Sequence, residues 1–248
     1  MLELKNVYLT LENNQNVKKS VLHNINMKFW PGKLYGVTGP NGSGKTSLAK
    51  VIMGIFPTTQ GEILLNGKTL NGLNVSERAQ RGISYGFQQP PRFKGVTVHD
   101  MLSIAGGYQE QEKELRLKIR EVGLCPEDYF PRDLDSSLSG GEMKRIEMAQ
   151  ILLRDSQVSI FDEPEAGVDL WTMQKIVNIL IRNYKNNHER IAIIITHNEN
   201  ILPICDEIIV LEAGQISSKG SAQAIFPLIK TNTPKRVTMR PCQEDIRA

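Results

Sequence analysis

Cysteine is scarce in this chain of 248 residues: Cys125, Cys205 and Cys242 are all it has. They lie far apart with no Cys-x-x-Cys pair, which excludes a thiolate metal set, and their odd number argues against a secreted disulfide framework. Long apolar runs are missing as well. The longest, such as Ile191-Ala192-Ile193-Ile194-Ile195, have the length of a strand and not of a membrane span. The first residues, MLELKNVYLT, carry acid early and alternate apolar with polar side chains. A secretory leader needs a basic start and an unbroken apolar core, so a cytoplasmic protein is the expectation. Charge of one sign is not in excess: 30 basic against 27 acidic residues leave +3, too weak a bias to argue for nucleic acid. Internal repeats and low-complexity tracts are absent. What remains is an ordinary globular composition, 40% hydrophobic and 23% charged, in one large domain or one domain with a small insertion.

Patterning gives a coarse organisation. Residues 2–11 and 22–29 alternate as half-exposed strands, with a polar hairpin loop over 13–19 and a turn at Pro31-Gly32. Residues 34–37 form a short apolar strand before a glycine-rich loop, and 45–55 read as a helix. Residues 61–65 are another strand, turning at Asn66-Gly67. From Pro90-Pro91 the character changes to irregular chain and charged helices over 98–105 and 109–122. A helix over 141–154, a strand over 158–161, a helix over 170–185 and a strand over 191–196 follow, then a hairpin turning at Ala213-Gly214. Strands alternating with helices imply an α/β core with a mainly parallel sheet, joined to an N-terminal antiparallel β patch.

Two motifs carry chemistry. Gly39-Pro40-Asn41-Gly42-Ser43-Gly44-Lys45-Thr46, followed by Ser47, fits G-x-x-x-x-G-K-[ST] between an apolar strand and a helix. The glycines let successive N–H groups point at one phosphate cluster, and the helix N-terminus adds partial positive charge. Lys45 is expected to reach the β- and γ-phosphates, and the Thr46 hydroxyl to ligate Mg²⁺. The second motif is the strand end Val158-Ser159-Ile160-Phe161-Asp162-Glu163. Asp162 is placed to hold Mg²⁺ directly or through water. Glu163, one residue on, faces another way and can polarise a water for attack on the γ-phosphate.

Between the two stands Leu138-Ser139-Gly140-Gly141-Glu142, and with it the chain resembles the ATP-binding-cassette ATPases over about residues 1–225. LSGGE is similar to their signature sequence, Gln88 in Gly86-Phe87-Gln88-Gln89 to the glutamine of their Q-loop, Glu165-Ala166-Gly167-Val168-Asp169 to their D-loop, and His197 after Thr196 to their switch histidine. The resemblance implies a P-loop NTPase core with an inserted helical subdomain, about 88–154, within a cassette over 1–230. It implies hydrolysis of ATP with Mg²⁺, with Glu163, His197, Lys45 and Gln88 as catalytic residues and Thr46, Gln88 and Asp162 at the metal. Ser139, Gly140, Gly141 and Asp169 would serve the nucleotide of a second copy, in a head-to-tail dimer sandwiching two ATPs. The family usually stacks adenine on an aromatic residue of the first strand; here Tyr8 is near, but Leu11 stands closer to the expected place.

Within the family most members power transporters. The run Met143-Lys144-Arg145-Ile146-Glu147-Met148-Ala149-Gln150, the Glu165-to-Asp169 segment and Gln88-to-Thr97 are more similar to the SufC-type ATPases of iron–sulfur cluster assembly. That resemblance implies a SufB-type scaffold partner, possible pairing with a SufD-like one, docking on the helical insertion near Phe93, Val96 and Met101, no cluster ligands in this chain, and no membrane insertion. The nucleotide-binding subunit of a membrane transporter is the alternative. Residues 231–248, polar with two prolines, read as a loosely attached tail.

Overall fold

The computed structural model describes residues 1–12, 17–107, 111–185 and 187–232. Along the chain come β1 (Leu2–Glu12), β2 (Lys18–Phe29), β3 (Lys33–Thr38), α1 (Lys45–Met53), β4 (Gln60–Leu65), β5 (Lys68–Thr69), α2 (Val75–Gln80) and β6 (Ile83–Gly86). Then follow β7 (Phe93–Thr97), α3 (Val98–Ala105), α4 (Glu112–Glu121), α5 (Pro126–Tyr129), β8 (Asp133–Leu134) and α6 (Gly140–Leu153). The chain returns through β9 (Val158–Asp162), α7 (Leu170–Leu180), β10 (Ile191–Ile195), β11 (Glu207–Glu212), β12 (Gln215–Ser221) and α8 (Ala222–Asn232).

Six strands in the order β12-β11-β3-β10-β9-β6 make the main sheet, parallel except for β12. Every residue of β9 and β10 is buried, which is why β10 reads as an unbroken apolar run instead of an alternating one. A second, antiparallel sheet, β2-β1-β4-β5, is the N-terminal patch. Its two long strands each change phase midway. Leu2 and Leu4 face inward, then Val7 and Leu9; on the partner Leu22 faces inward, then Ile25, Met27 and Phe29. The extra residues are Asn6 and Asn24, both in the left-handed region at φ 48° and 52°. Asn26 stitches them: it accepts from the Asn6 N–H (2.9 Å) and donates to Asn24 Oδ1 (2.9 Å). A matched pair of bulges keeps both strands' apolar faces on the core.

α1 follows the glycine-rich loop, and its far end is held by an unusual donor. Arg78 of α2 is 2% exposed; its Nη1 donates to the Val51 and Ile52 carbonyls (2.8 Å each) and its Nε to Leu73 O (3.2 Å). Val51 and Ile52 lie in the last turn of α1, where Val51 O also accepts from the Gly54 N–H (3.2 Å). Arg78→Met is expected to remove the donor to the Ile52 carbonyl and one of the two to Val51 O, at about 2 kcal/mol, lowering the melting temperature by roughly 5 °C; differential scanning calorimetry reads this, and an unchanged transition would refute the role.

Where the structure differs from the sequence expectations, the causes are local. Lys18 and Lys19, expected in a loop, belong to β2, paired with Glu12 and Leu11; residues 13–16 lie outside the described residues. The helix expected over 109–122 is described from Glu112, and 108–110 lie outside. The helix expected over 170–185 ends as an α-helix at Leu180, and Ile181–Lys185 form a wider π turn. That turn carries Tyr184 inward, where its hydroxyl donates to Ser159 Oγ (3.0 Å). β6 and α2 had no expectation. Thr231, expected to open a tail, belongs to α8, whose Ala222 and Ile225 are buried against the sheet's helical side; residues 233–248 lie outside the described residues.

Candidate active site

In a parallel sheet all strands point their carboxyl ends the same way. Register places Ile195 of β10 opposite both Val37 of β3 and Asp162 of β9, and Gly86 of β6 opposite Phe161. The residues that follow these ends therefore gather at one edge: the loop from Gly39, Glu163, Thr196-His197, and Gln88.

The loop is shaped from outside as well as within. Gly39 has φ 138°, and a Cβ built on it would lie 1.9 Å from the Leu211 carbonyl oxygen, so only glycine fits there. The turn after β11 adds a second tie: the Gly214 N–H donates to Ser43 O (3.1 Å), and Gly214 O accepts from the His23 N–H (2.8 Å). Within the loop Lys45 is 6% exposed, and its Nζ donates to Gly39 O (2.8 Å) and Pro40 O (2.9 Å). Burial pulls its pKa down, and the charges of Glu163 and Asp162 resist that pull. Ser43 Oγ is buried without a protein partner. An orphaned hydroxyl beside a buried ammonium, at a helix N-terminus, fits a phosphate-bearing ligand.

Asp162 is 1% exposed and is held at both oxygens. The Thr46 hydroxyl donates to Oδ1 (3.1 Å) and the Tyr85 hydroxyl to Oδ2 (2.7 Å). Burial raises the Asp162 carboxyl, and these two hydrogen bonds lower it again. A hydroxyl and a carboxylate side by side are hard oxygen donors of the kind Mg²⁺ takes alongside phosphates. Among the described residues no group of three or more His, Cys, Asp or Glu side chains forms a metal set by itself.

Glu163 leaves the strand in the left-handed region, φ 47°, with its N–H bonded to Ile195 O (2.9 Å). That turn swings its carboxylate away from Asp162 to meet Gln88, whose Nε2 donates to Glu163 Oε2 at 2.5 Å. His197 is lowered from its ordinary pKa by burial and by the nearby Lys45 charge, with Glu163 opposing. It lines a cavity of about 680 Å³ together with Gly39, Pro40, Asn41 and α8 residues such as Leu228.

The structure thus brings Lys45, Thr46, Asp162, Glu163, Gln88 and His197 together. Ser139 and Gly140 do not line the cavity beside the phosphate loop. Ser139 caps α6, donating its N–H to Glu142 Oε2 (2.7 Å) and accepting from the Glu142 N–H (3.3 Å). Gly140 shares a cleft of about 580 Å³ with Gln88, Ala166 and Gly167, and a Cβ on Gly141 would meet Thr172 Oγ1 at 3.4 Å. Asp169 caps α7, accepting from the Trp171 and Thr172 N–H groups (2.8 and 2.9 Å) and the Thr172 hydroxyl (2.8 Å). Tyr8 and Leu11 both lie in β1, Leu11 half-buried against the core.

Sequence reasoning missed four contributors. Tyr85 supports Asp162, as above. Glu165, in the D-loop segment, is half-buried, accepts from the Thr196 hydroxyl, and has its carboxyl raised by partial burial; it braces the chain before His197. Lys144 and Glu147 of α6 reach the backbone next to Gln88. Each of these contacts joins chain segments more than 30 residues apart, which no spacing rule announces.

Comparison with known proteins agrees with this geometry. The ABC transporter family profile matches residues 22–166. An uncharacterized ABC transporter ATP-binding protein of Methanocaldococcus jannaschii is 32% identical over 88% of this chain and 89% of its own. A probable ATP-dependent transporter of Synechocystis is 32% identical over 92% of each. Among solved structures, the dimeric post-hydrolysis form of the ATP-binding cassette MJ0796, bound to ADP and Pi, superposes with a TM-score of 0.80 at 23% identity, over 90% of this chain and 99% of that one. With the phosphate loop, the acidic strand end and the signature helix in one cassette fold, the chain belongs to the ABC transporter ATPase family and is an ATP-binding ATPase.

Proposed function

We propose that this ATPase is of the SufC type: it binds MgATP, closes head-to-tail on a second copy, and so drives a shape change in a SufB-type scaffold, alone or beside a SufD-like one, during iron–sulfur cluster assembly in the cytoplasm. Phosphates enter the loop and take Lys45 from the Gly39 and Pro40 carbonyls, with Gly42, Ser43, Gly44 and Ser47 completing the cradle. Thr46, Asp162 and Gln88 would hold Mg²⁺. Mg²⁺ when bound supplies charge neutralisation at the β- and γ-phosphates. Glu163 accepts the proton of the attacking water, and His197, neutral, holds the γ-phosphate side in line. Ser139, Gly140 and Gly141 offer a helix N-terminus to the other copy's nucleotide. Beside them Leu170 and Trp171 are 74% and 82% exposed, apolar surface that a closed pair would cover.

The observation that carries the partner is an apolar cavity of about 430 Å³ beside Gln88, lined by Phe87, Pro90, Phe93, Met101 and Ile104 among others. It is lined by Tyr85 and Phe87 at the end of β6 and by Phe93, Met101 and Ile104 of the helical insertion, so an occupant would touch both the insertion and the residue before Gln88. The SufC-type reading of α6 and the D-loop assigns the occupant. A permease helix is the second reading, favoured by the transporter names of the relatives. No described helix is long and apolar enough to cross a membrane.

Capture of the tagged chain from a detergent-free soluble extract tests the choice. A SufB-type scaffold is the expected companion, lost in Phe93→Asp. A polytopic permease recovered only in detergent would overturn the assembly role.

A further inference from the structure

α6 begins at the signature, yet two charged residues in its second turn point into the protein. Lys144 is 2% exposed and Glu147 nearly as buried, and no surface role explains them. They meet each other, Lys144 Nζ to Glu147 Oε2 at 3.4 Å, and both meet one residue 57 or more positions earlier. The Phe87 N–H donates to Glu147 Oε1 at 2.7 Å, and Lys144 Nζ donates to the Phe87 carbonyl. That carbonyl belongs to the peptide bond joining Phe87 to Gln88. Gly86 makes the approach possible: a Cβ there would stand 3.0 Å from Ile151 Cδ1 and 3.5 Å from Glu147 Oε2.

We propose that Lys144 and Glu147 are positioning residues for hydrolysis: together they clamp the Phe87 backbone to the helix that starts at Ser139, and so set where Gln88 stands relative to Glu163. The inference rests on the reading of Gln88 as part of the hydrolytic site. Two hydrogen bonds from one rigid helix to the two sides of one residue leave that residue no rotation about the strand axis. Tyr85, two residues before, is tied by its hydroxyl to Asp162. Gln88, one residue after, is tied to Glu163. The stretch from Tyr85 to Gln88 is thereby fastened alternately to the acidic strand end and to the signature helix. A displacement of α6 when the signature meets a second copy's nucleotide moves Gln88 through the clamp, whose Phe87 and Glu147 also line the apolar groove where a partner docks. Both buried charges answer each other and the peptide, the satisfied arrangement that a buried pair needs.

A double-mutant cycle tests this. Lys144→Met and Glu147→Leu keep bulk and remove the donor and the acceptor. Each is expected to lower kcat about tenfold with the Kd for ATP within about twofold, measured on protein whose thermal melt establishes that it is folded. Glu147→Gln, which keeps an oxygen acceptor for the Phe87 N–H, is expected to retain at least about half of kcat. In a Gln88→Ala background neither clamp variant should reduce kcat further, because its effect runs through Gln88. Additive losses, or clamp variants with unaltered kcat while Gln88→Ala alone is impaired, would overturn the clamp and leave the role of Gln88 standing. Gln88→Ala at full turnover would remove both.

Discussion

Glu163→Gln lowers steady-state ATP turnover by about 100-fold or more, with ATP affinity kept within about twofold. The carboxamide has the carboxylate's shape, and the left-handed backbone at residue 163 is set by the Ile195 contact and not by the side chain. What is lost is the ability to take a proton from water. The Gln88 amide, which donates to Glu163 Oε2, can still donate to the substituted side chain's carbonyl, so the site should stay assembled. Bound ATP then persists, and a closed pair accumulates that light scattering detects at twice the monomer mass. Trp171, 82% exposed in the single chain, reports the same event. In a Trp30→Phe background its emission should shift to the blue on adding ATP and Mg²⁺ to Glu163→Gln, as a solvated indole becomes covered. Phosphate release at the unmodified rate would refute the role of Glu163. A doubled mass with unshifted emission would place Trp171 outside the contact.

Lys45→Ala should weaken ATP binding by about 10–100-fold, the loss of a charge-assisted hydrogen bond of about 1.5–3 kcal/mol. Lys45 is buried, and its neighbours Asp162 and Glu163 hold it charged against that burial. Removing it leaves two carboxylates facing a polyanion with no cation from the loop between them. Part of the effect is therefore repulsion, and raising Mg²⁺ should recover some affinity. Equilibrium dialysis at low and high Mg²⁺ measures both; equal affinity in the variant would end the assignment of the loop.

How much of this was legible depends on whether a feature is contiguous. The phosphate loop, the acidic strand end, the signature and Thr196-His197 are short runs whose chemistry needs neighbours in sequence, and each falls at the end of an element that its own apolar residues define. Even the hairpin turns at Asn66-Gly67 and Ala213-Gly214 are local, both using positive φ at two successive residues. The rest was hidden because it pairs distant segments. The bulges at Asn6 and Asn24 compensate each other across two strands, so each strand alone seems to slip out of phase. Glu165 looks like part of a loop until Thr196 is beside it. Lys144 and Glu147 look like solvated charges at helical spacing until Phe87 comes between them. α8 carries Pro227, which weighs against a helix in any local reading, and only packing on the sheet decides it.

The tie between Leu211, Gly214 and the loop at Gly39–Ser43 orders events during synthesis. The ribosome delivers the ATP-cradling segment early, but its outer buttress lies some 170 residues later. A nascent polypeptide halted before the β11–β12 turn emerges has the consensus letters without the finished mould. Any nucleotide capture by this loop is thus expected to wait until almost the whole cassette is available.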